Sequence, residues 1–110
     1  VGVFGWDELS AALDGAAAVI NTTSLGLAGG APLPLDAGAL PAGAVVMDMV
    51  YRPLRTPLLA GAADRGLVTV DGLEMLIGQA RPSFSALFGL AAPADVDVRA
   101  MALKDLEGVA

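Results

Sequence analysis

The stretch from Val70 to Ala80 constrains the fold most strongly. An apolar segment ends at Val70, and a helical pattern begins directly behind it. Asp71 is a good N-cap residue, and Glu74, three positions later, completes a capping-box pattern. Gly72 occupies the first helical position at a cost in helix propensity, which indicates that bare backbone is needed there. The sequence therefore predicts a strand followed at once by a helix.

Helical spacing divides this predicted helix into two faces. Gly72, Met75 and Gln79 recur at intervals of three and four residues and therefore share one face. The broad opposite face is apolar and is predicted to pack against a core; it comprises Leu73, Leu76, Ile77, Ala80, Phe84, Leu87 and Phe88. Any buried α/β helix with a good cap would show the same spacing, so the spacing alone identifies no ligand. Ligands of parallel sheets nevertheless bind beyond the carboxyl ends of the strands, where Gly72 lies.

Short apolar runs alternate with helical or loop segments along the chain. The runs span residues 16–20, 44–50 and 67–70. Thr56 followed by Pro57 marks the start of a helix between the second and third runs, and Gly66 marks its end. This alternation is typical of an α/β fold with a parallel sheet. The strands of such a sheet are expected to be buried on both faces.

Weaker signals come from the amino-terminal segments. Residues 1–4 are apolar, which is typical of the tail of a strand. Asp7 is a candidate cap for a helix over residues 8–14. The segment 27–43, rich in glycine, alanine and proline, is predicted to be irregular with one helical turn near residues 36–40.

Two features are predicted for the carboxyl-terminal third of the chain. Pro82 lies inside the helical pattern, where it lacks a donor and crowds the carbonyl of Gly78, so a bend or break is expected between Gly78 and Ser83. Beyond Pro93, Asp95 is a candidate cap for a terminal helix.

Composition excludes several classes of function. The 110-residue chain is 55% hydrophobic with a mean hydropathy of +0.68, which favours a piece of a larger fold. Its longest uncharged run contains four consecutive polar residues, several glycines and two prolines, so no membrane span is expected. A net charge of −6 without a basic cluster makes nucleic acid and anionic membranes poor partners.

The chain contains neither histidine nor cysteine, so neither a nucleophile–base pair nor a metal site is predicted. The lack of cysteine fits a cytoplasmic protein. No signal peptide is predicted.

Polar or aromatic residues follow the first two predicted strands. Residues 21–26 (NTTSLG) could cradle a ribose or phosphate, or could simply satisfy their own backbone. Strand alternation places Met49 and Tyr51 on one side and Asp48 and Val50 on the other. A thioether and a phenol could pack on a flat ring, although an ordinary strand end with tyrosine at its rim would look the same. Asp48 lies in a mostly apolar strand and is interpreted as structural, accepting hydrogen bonds from loop amides.

In combination, these segments resemble the carboxyl-terminal part of shikimate dehydrogenase. The matching segments are NTTSLG at 21–26, DMVY at 48–51 with TPL at 56–58, and DGLxML at 71–76 with QA at 79–80; SF at 83–84 and FG at 88–89 extend the match. The resemblance covers residues 1–107. Each segment alone is weakly specific, and the specificity lies in their order and separation.

The resemblance implies both a fold and an activity. Members of the family combine an amino-terminal substrate domain with an NADP-binding Rossmann domain, and they interconvert 3-dehydroshikimate and shikimate in aromatic amino-acid biosynthesis. Residues 1–89 would form the second half of the NADP-binding domain, and residues 90–110 a terminal helix that packs on the substrate domain. The expected fold is therefore an incomplete, Rossmann-like parallel α/β sheet, whose exposed strand edges leave self-association open.

The resemblance also implies roles for individual residues. Met49 and Gly72 would line the nicotinamide, and Gly72 would do so with bare backbone. Thr22, Thr23 and Ser24 would belong to the loop on the cofactor side.

The resemblance also implies which residues contact the substrate and which of the family's residues this chain lacks. Tyr51 and Gln79 would contact the carboxylate and hydroxyls of shikimate, and an amide such as that of Gln79 can donate and accept at once. No catalytic residue is expected in this chain, because the family's Lys and Asp pair and its glycine-rich turn belong to parts that precede Val1. A quinate-using relative, or a non-catalytic nucleotide-binding or interaction module derived from the family, remains an alternative.

Overall fold

A computed structural model describes residues 1–108 of the chain. In chain order, the elements are a 3-10 turn at Trp6–Glu8, helix α1 (Leu9–Leu13), strand β1 (Ala18–Asn21), a second 3-10 turn at Ala37–Ala39, strand β2 (Val45–Asp48), helix α2 (Pro57–Asp64), strand β3 (Thr69–Val70), helix α3 (Gly72–Phe88) and helix α4 (Val98–Gly108). The chain divides into two compact units, residues 1–72 and a second unit that begins at Leu73.

The first unit contains a three-stranded parallel sheet in the order β1–β2–β3. Asn21 at the end of β1 lies opposite Asp48 at the end of β2. Met47 of β2 lies opposite Val70, the last residue of β3. All three predicted strands are present, and the predicted α/β parallel sheet is confirmed.

The core of the first unit lies where α2 packs on β2. Its buried residues are Leu40, Val46, Leu58, Leu59 and Ala62. Helix α2 begins as the sequence predicts, because Thr56 Oγ1 accepts a hydrogen bond from the Leu59 N–H at 3.3 Å and Pro57 takes the first helical position. Gly66, with φ of +75°, follows the end of this helix in the left-handed region that favours glycine.

The prediction that the strands are buried on both faces is wrong. Along β2, Val45 is exposed while Val46 and Asp48 are buried, so this strand has one covered face. Strand β1 pairs with β2 alone among the described strands, and its Ile20 is 53% exposed. A strand covered on one face alternates buried and exposed side chains, which short apolar runs cannot reveal.

The amino-terminal predictions need two corrections. Residues 1–4 form no strand, because no described segment pairs with them. The first turn is capped at Gly5 rather than at Asp7, since the Gly5 N–H donates to the Glu8 carboxylate at 2.7 Å. The predicted helical turn within the irregular segment is confirmed at Ala37–Ala39, where Asp36 accepts from the Gly38 N–H at 2.9 Å.

The second unit consists mainly of α3 and α4. Helix α3 continues through Pro82 to Phe88, so a break between Gly78 and Ser83 is excluded, and the alternative of a bend stays a prediction. Helix α4 is capped by Asp97 rather than Asp95, because Asp97 Oδ1 accepts from the Ala100 N–H at 2.9 Å. Across residues 1–108, every helix lacks the length or the apolar character that crossing a membrane would require.

The apolar face of α3 is covered less than the sequence predicts. Leu73 is buried, and Ile77 and Phe84 are half-buried, but Leu87 and Phe88 are 78% and 64% exposed. Helical spacing records that a face is apolar and leaves open whether the same chain covers it. Glu74, the predicted partner in a capping box, forms an ion pair with Arg99 at 2.8 Å.

A pair of valine substitutions tests which face of β2 packs into the core. Val46→Ala removes two methyl groups from a side chain that is 0% exposed. We expect the free energy of unfolding to fall by about 2 kcal/mol, measured by urea denaturation followed by circular dichroism. Val45→Ala makes the same change on the exposed face and should cost less than about 1 kcal/mol. Equal losses in the two variants would contradict this placement of the core.

Candidate functional site

The carboxyl ends of the three parallel strands lie along one edge of the sheet in the first unit. Strand β1 ends at Asn21, β2 at Asp48 and β3 at Val70. In α/β sheets this edge is where ligands bind, because loops and helix starts converge there. All of the predicted site residues in this unit follow one of these strand ends.

Asn21 and Asp48 join the ends of the first two strands. Asn21 Nδ2 donates a hydrogen bond to Asp48 Oδ1 at 3.0 Å, and the Val50 N–H donates to the same oxygen at 3.0 Å. Both side chains are buried, at 6% and 1% exposed. A hydrogen bond to an ionised carboxylate is stronger than a neutral one and matters more where water is excluded. Asp48 therefore has the structural role expected of it.

Asn21 also shapes the loop that follows β1. Its Oδ1 accepts from the Thr23 N–H at 3.0 Å and from the Thr23 hydroxyl at 2.7 Å, while Nδ2 donates to the Leu25 carbonyl at 3.0 Å. The Leu25 N–H in turn donates to Thr23 Oγ1 at 3.1 Å. Part of the NTTSLG segment thus satisfies its own backbone, and its remaining side chains at Thr22 and Ser24 are exposed.

A pocket of about 220 Å³ is lined by residues that follow the carboxyl ends of β1 and β2, and it brings four of the predicted site residues together. We call it the strand-end pocket; it is lined by Thr23, Ser24, Leu27, Met49, Val50, Tyr51 and Arg52. Met49 is half-buried, and Tyr51 is 37% exposed. The pocket combines apolar side chains with three hydroxyl groups and one cation. Such a lining suits a flat, partly polar ligand that carries negative charge.

Three predicted residues lie outside this pocket. Thr22 lines a neighbouring groove, which is mostly apolar and includes Trp6 and Leu9. Gly72 is buried at the start of α3. Gln79 belongs to the second unit, where it is exposed on α3.

Gly72 lies against the backbone at the end of β2. A Cβ atom built on Gly72 would lie 2.5 Å from the Met49 carbonyl oxygen and 2.9 Å from that of Val50. Real Cβ atoms do not approach backbone that closely. The glycine predicted to supply bare backbone therefore has a steric reason to be there.

Sequence reasoning missed three of the residues that line the strand-end pocket. Leu27 and Arg52 each follow a polar segment that was singled out, and Val50 was assigned to the opposite side of its strand. Continuing each segment by one residue beyond its match would have included Leu27 and Arg52. Within the described part of the chain, Arg52 is the only charged residue that lines the pocket, so its omission removed the main electrostatic feature.

The described residues form no cluster of metal-binding side chains at this edge. The sequence contains neither histidine nor cysteine. Among residues 1–108, no three acidic side chains gather in a way that could hold a metal ion. The arrangement can bind and orient a ligand.

Comparison with known proteins identifies homologues for most of the chain. It is 54% identical over 98 residues to the shikimate dehydrogenase (NADP(+)) of Rhodospirillum rubrum, a match that covers 89% of this chain and 35% of the relative. This chain therefore spans about a third of the length of the relatives it matches. The resemblance predicted from the sequence is confirmed. No protein-family model matches the chain.

Solved structures show the same relationship. The shikimate 5-dehydrogenase of Thermus thermophilus in complex with NADP(H) and shikimate matches with a TM-score of 0.69 and 35% identity, over 77% of this chain and 32% of that one. The quinate dehydrogenase of Corynebacterium glutamicum in complex with NAD matches with a TM-score of 0.70 and 31% identity, over 78% and 30%. The predicted Rossmann-like parallel α/β fold is confirmed, and its sheet is open.

A pair of glycine substitutions tests the close approach at the start of α3. Gly72→Ala places a methyl group against two carbonyl oxygens and should lower the free energy of unfolding by about 1–3 kcal/mol. Gly78→Ala is the matched control, because nothing lies within 4 Å of its Cβ position in the same helix. It should raise the free energy of unfolding by up to about 1 kcal/mol through helix propensity. A neutral Gly72→Ala in thermal denaturation would contradict the steric account.

An exchange of side chains tests the hydrogen bond between the strand ends. Asn21→Asp sets two carboxylates against each other at register partners and should lower the free energy of unfolding by about 2–4 kcal/mol. Adding Asp48→Asn restores a donor and an acceptor to the pair, so the double variant should recover part of that loss. A double-mutant cycle from urea denaturation measures the coupling. Strictly additive effects would show that the two side chains do not interact.

Proposed function

We propose that this chain is the carboxyl-terminal part of an NADP-dependent shikimate dehydrogenase, which interconverts 3-dehydroshikimate and shikimate. The observation that carries the proposal is the strand-end pocket, because four residues that the resemblance assigns to cofactor or substrate line it together. The match to the R. rubrum enzyme, which covers 89% of this chain at 54% sequence identity, supports the same assignment.

The cofactor side of the pocket fits one end of NADP. Met49, half-buried at the end of β2, offers an apolar surface for the nicotinamide ring, and Gly72 brings the start of α3 close to the Met49 backbone. Thr23 and Ser24 add hydroxyls to the same wall, and Thr22 stands beside them on the loop. When bound, the nicotinamide exchanges a hydride with the substrate. These residues hold and orient it.

The substrate side rests on Tyr51 and Gln79. The phenol of Tyr51 lines the strand-end pocket and can donate or accept a hydrogen bond. Gln79 is exposed on α3 and offers both an amide donor and an acceptor. We propose that the two contact the carboxylate and hydroxyls of shikimate and fix the ring for hydride transfer.

The rest of the reaction requires residues outside this chain. We propose that residues 1–89 form the second half of the NADP-binding domain. Of the segment 90–110, which was predicted as a terminal helix, only Val98–Gly108 is helical among the described residues, and residues 109 and 110 lie outside the described part. We propose that this helix, α4, packs on a substrate domain. The proton-handling residues would lie in the portion of the relatives that this chain does not match, about two thirds of their length. We also propose a cytoplasmic location, which the lack of cysteine supports. We further propose self-association of the isolated chain through exposed strand edges, because β1 and β3 each pair with β2 alone among the described strands.

Quinate is the second candidate substrate. The quinate dehydrogenase of C. glutamicum resembles this chain as closely in structure as the T. thermophilus enzyme does, with TM-scores of 0.70 and 0.69. The two substrates are both polyhydroxylated carboxylates, so the same carboxylate and hydroxyl contacts serve either. The assay below distinguishes them.

Oxidation of shikimate and of quinate, followed by nicotinamide absorbance with NADP⁺ and then NAD⁺, tests the proposal in the full-length protein that contains this chain. We expect turnover of shikimate with NADP⁺. Tyr51→Phe and Gln79→Ala should each lower kcat/KM by about tenfold to a hundredfold, because each removes one hydrogen bond to a charged or polar substrate.

Lys104→Ala on α4 is the control variant and should leave kcat/KM unchanged, because it lies outside the proposed site. Turnover of quinate without turnover of shikimate would show that quinate, and not shikimate, is the substrate. Binding of NADPH without turnover of either compound would favour a non-catalytic nucleotide-binding module derived from the family.

A further inference from the structure

The two oxygens of the Asp48 carboxylate have different surroundings. Oδ1 accepts from Asn21 Nδ2 and from the Val50 N–H. Oδ2 is fully buried and meets no hydrogen-bond donor among the described residues. Leaving a buried carboxylate oxygen without a donor is costly, so a donor is expected beside it.

A small cavity lies beside this carboxylate. We call it the Asp48 cavity; it has a volume of about 90 Å³ and is lined by Gly26, Pro32, Leu33, Leu35, Asp48, Thr56, Pro57 and Leu58. Because a water molecule needs only about 10–15 Å³ of such space, the cavity has room for more than one. Thr56 provides a second polar group, because its Oγ1 accepts from the Leu59 N–H while its own O–H remains able to donate.

We propose that the Asp48 cavity binds ordered water, one molecule of which donates a hydrogen bond to Asp48 Oδ2. The remaining walls come from leucine, proline and glycine, and no cationic side chain lines the cavity. Water is therefore the donor that fits both the size and the chemistry of the space. This proposal concerns the first unit alone and does not depend on the function proposed above.

The bound water fixes the Asp48 carboxylate at the strand end beside the strand-end pocket. With both oxygens held, the carboxylate cannot rotate, and Oδ1 stays fixed against Asn21 and the Val50 N–H. The cavity also borders the loop after β1, because Gly26 is one of its lining residues. That loop is closed by a hydrogen bond from the Gly26 N–H to the Ala31 carbonyl at 2.9 Å, and it carries Leu27 into the strand-end pocket.

A high-resolution crystal structure of the unmodified protein provides the direct test. We expect density for a water whose oxygen lies about 2.6–3.0 Å from Asp48 Oδ2, within the range of a hydrogen bond to a carboxylate. A dry cavity, or a protein donor on Oδ2, would overturn the proposal.

A cavity-filling variant gives an independent test in solution. Leu33→Phe should displace the water and leave Oδ2 without a donor, so the midpoint of thermal denaturation should fall by about 5 °C. Hydrogen exchange of the Val50 amide should become about tenfold faster, because its acceptor is no longer held.

Leu33→Met is the matched control, since it conserves volume and should change neither measurement appreciably. If Leu33→Phe raises the midpoint and leaves Val50 exchange unchanged, the cavity is dry and the proposal fails. If Leu33→Phe does not fold, the crystal structure of the unmodified protein decides the question.

Discussion

The hydrogen bond between Asn21 and Asp48 is the interaction on which the candidate site depends. It joins side chains 27 positions apart, at register partners in β1 and β2, in an environment from which water is largely excluded. One amide and one carboxylate thereby connect the turn at Thr23 to the backbone at Val50. The two loops that line the strand-end pocket start at these residues. A substitution of either Asn21 or Asp48 would therefore disturb both loops.

Local signals predicted much of this fold. The start of α2 at Thr56 and Pro57 and its end before Gly66 depend on residues within one turn of the helix, and both were predicted correctly. Strand burial could not be predicted in the same way. Whether Ile20 is covered depends on how many strands and helices surround β1, and a short apolar run contains no information about its neighbours.

The candidate site could likewise be predicted only in part from the sequence. The exposed and aromatic residues of the site, such as Tyr51, could be singled out from the segments that carry them. The role of Asn21 could not, because it depends on the register between two strands that the sequence does not specify. Arg52 was missed for a different reason: an arginine in a loop is usually a solvated charge, and only the fold shows that this one lines a pocket.

Gly72 has a consequence for the interpretation of substitution data. Its neighbours are carbonyl groups of the main chain, which no change of rotamer can move away, so every residue with a side chain is disfavoured at this position. Intolerance to substitution at Gly72 would therefore arise whether or not a cofactor binds nearby. Evidence for a nicotinamide site must come from positions such as Met49, whose side chain can be changed without placing a new atom against main-chain carbonyl groups.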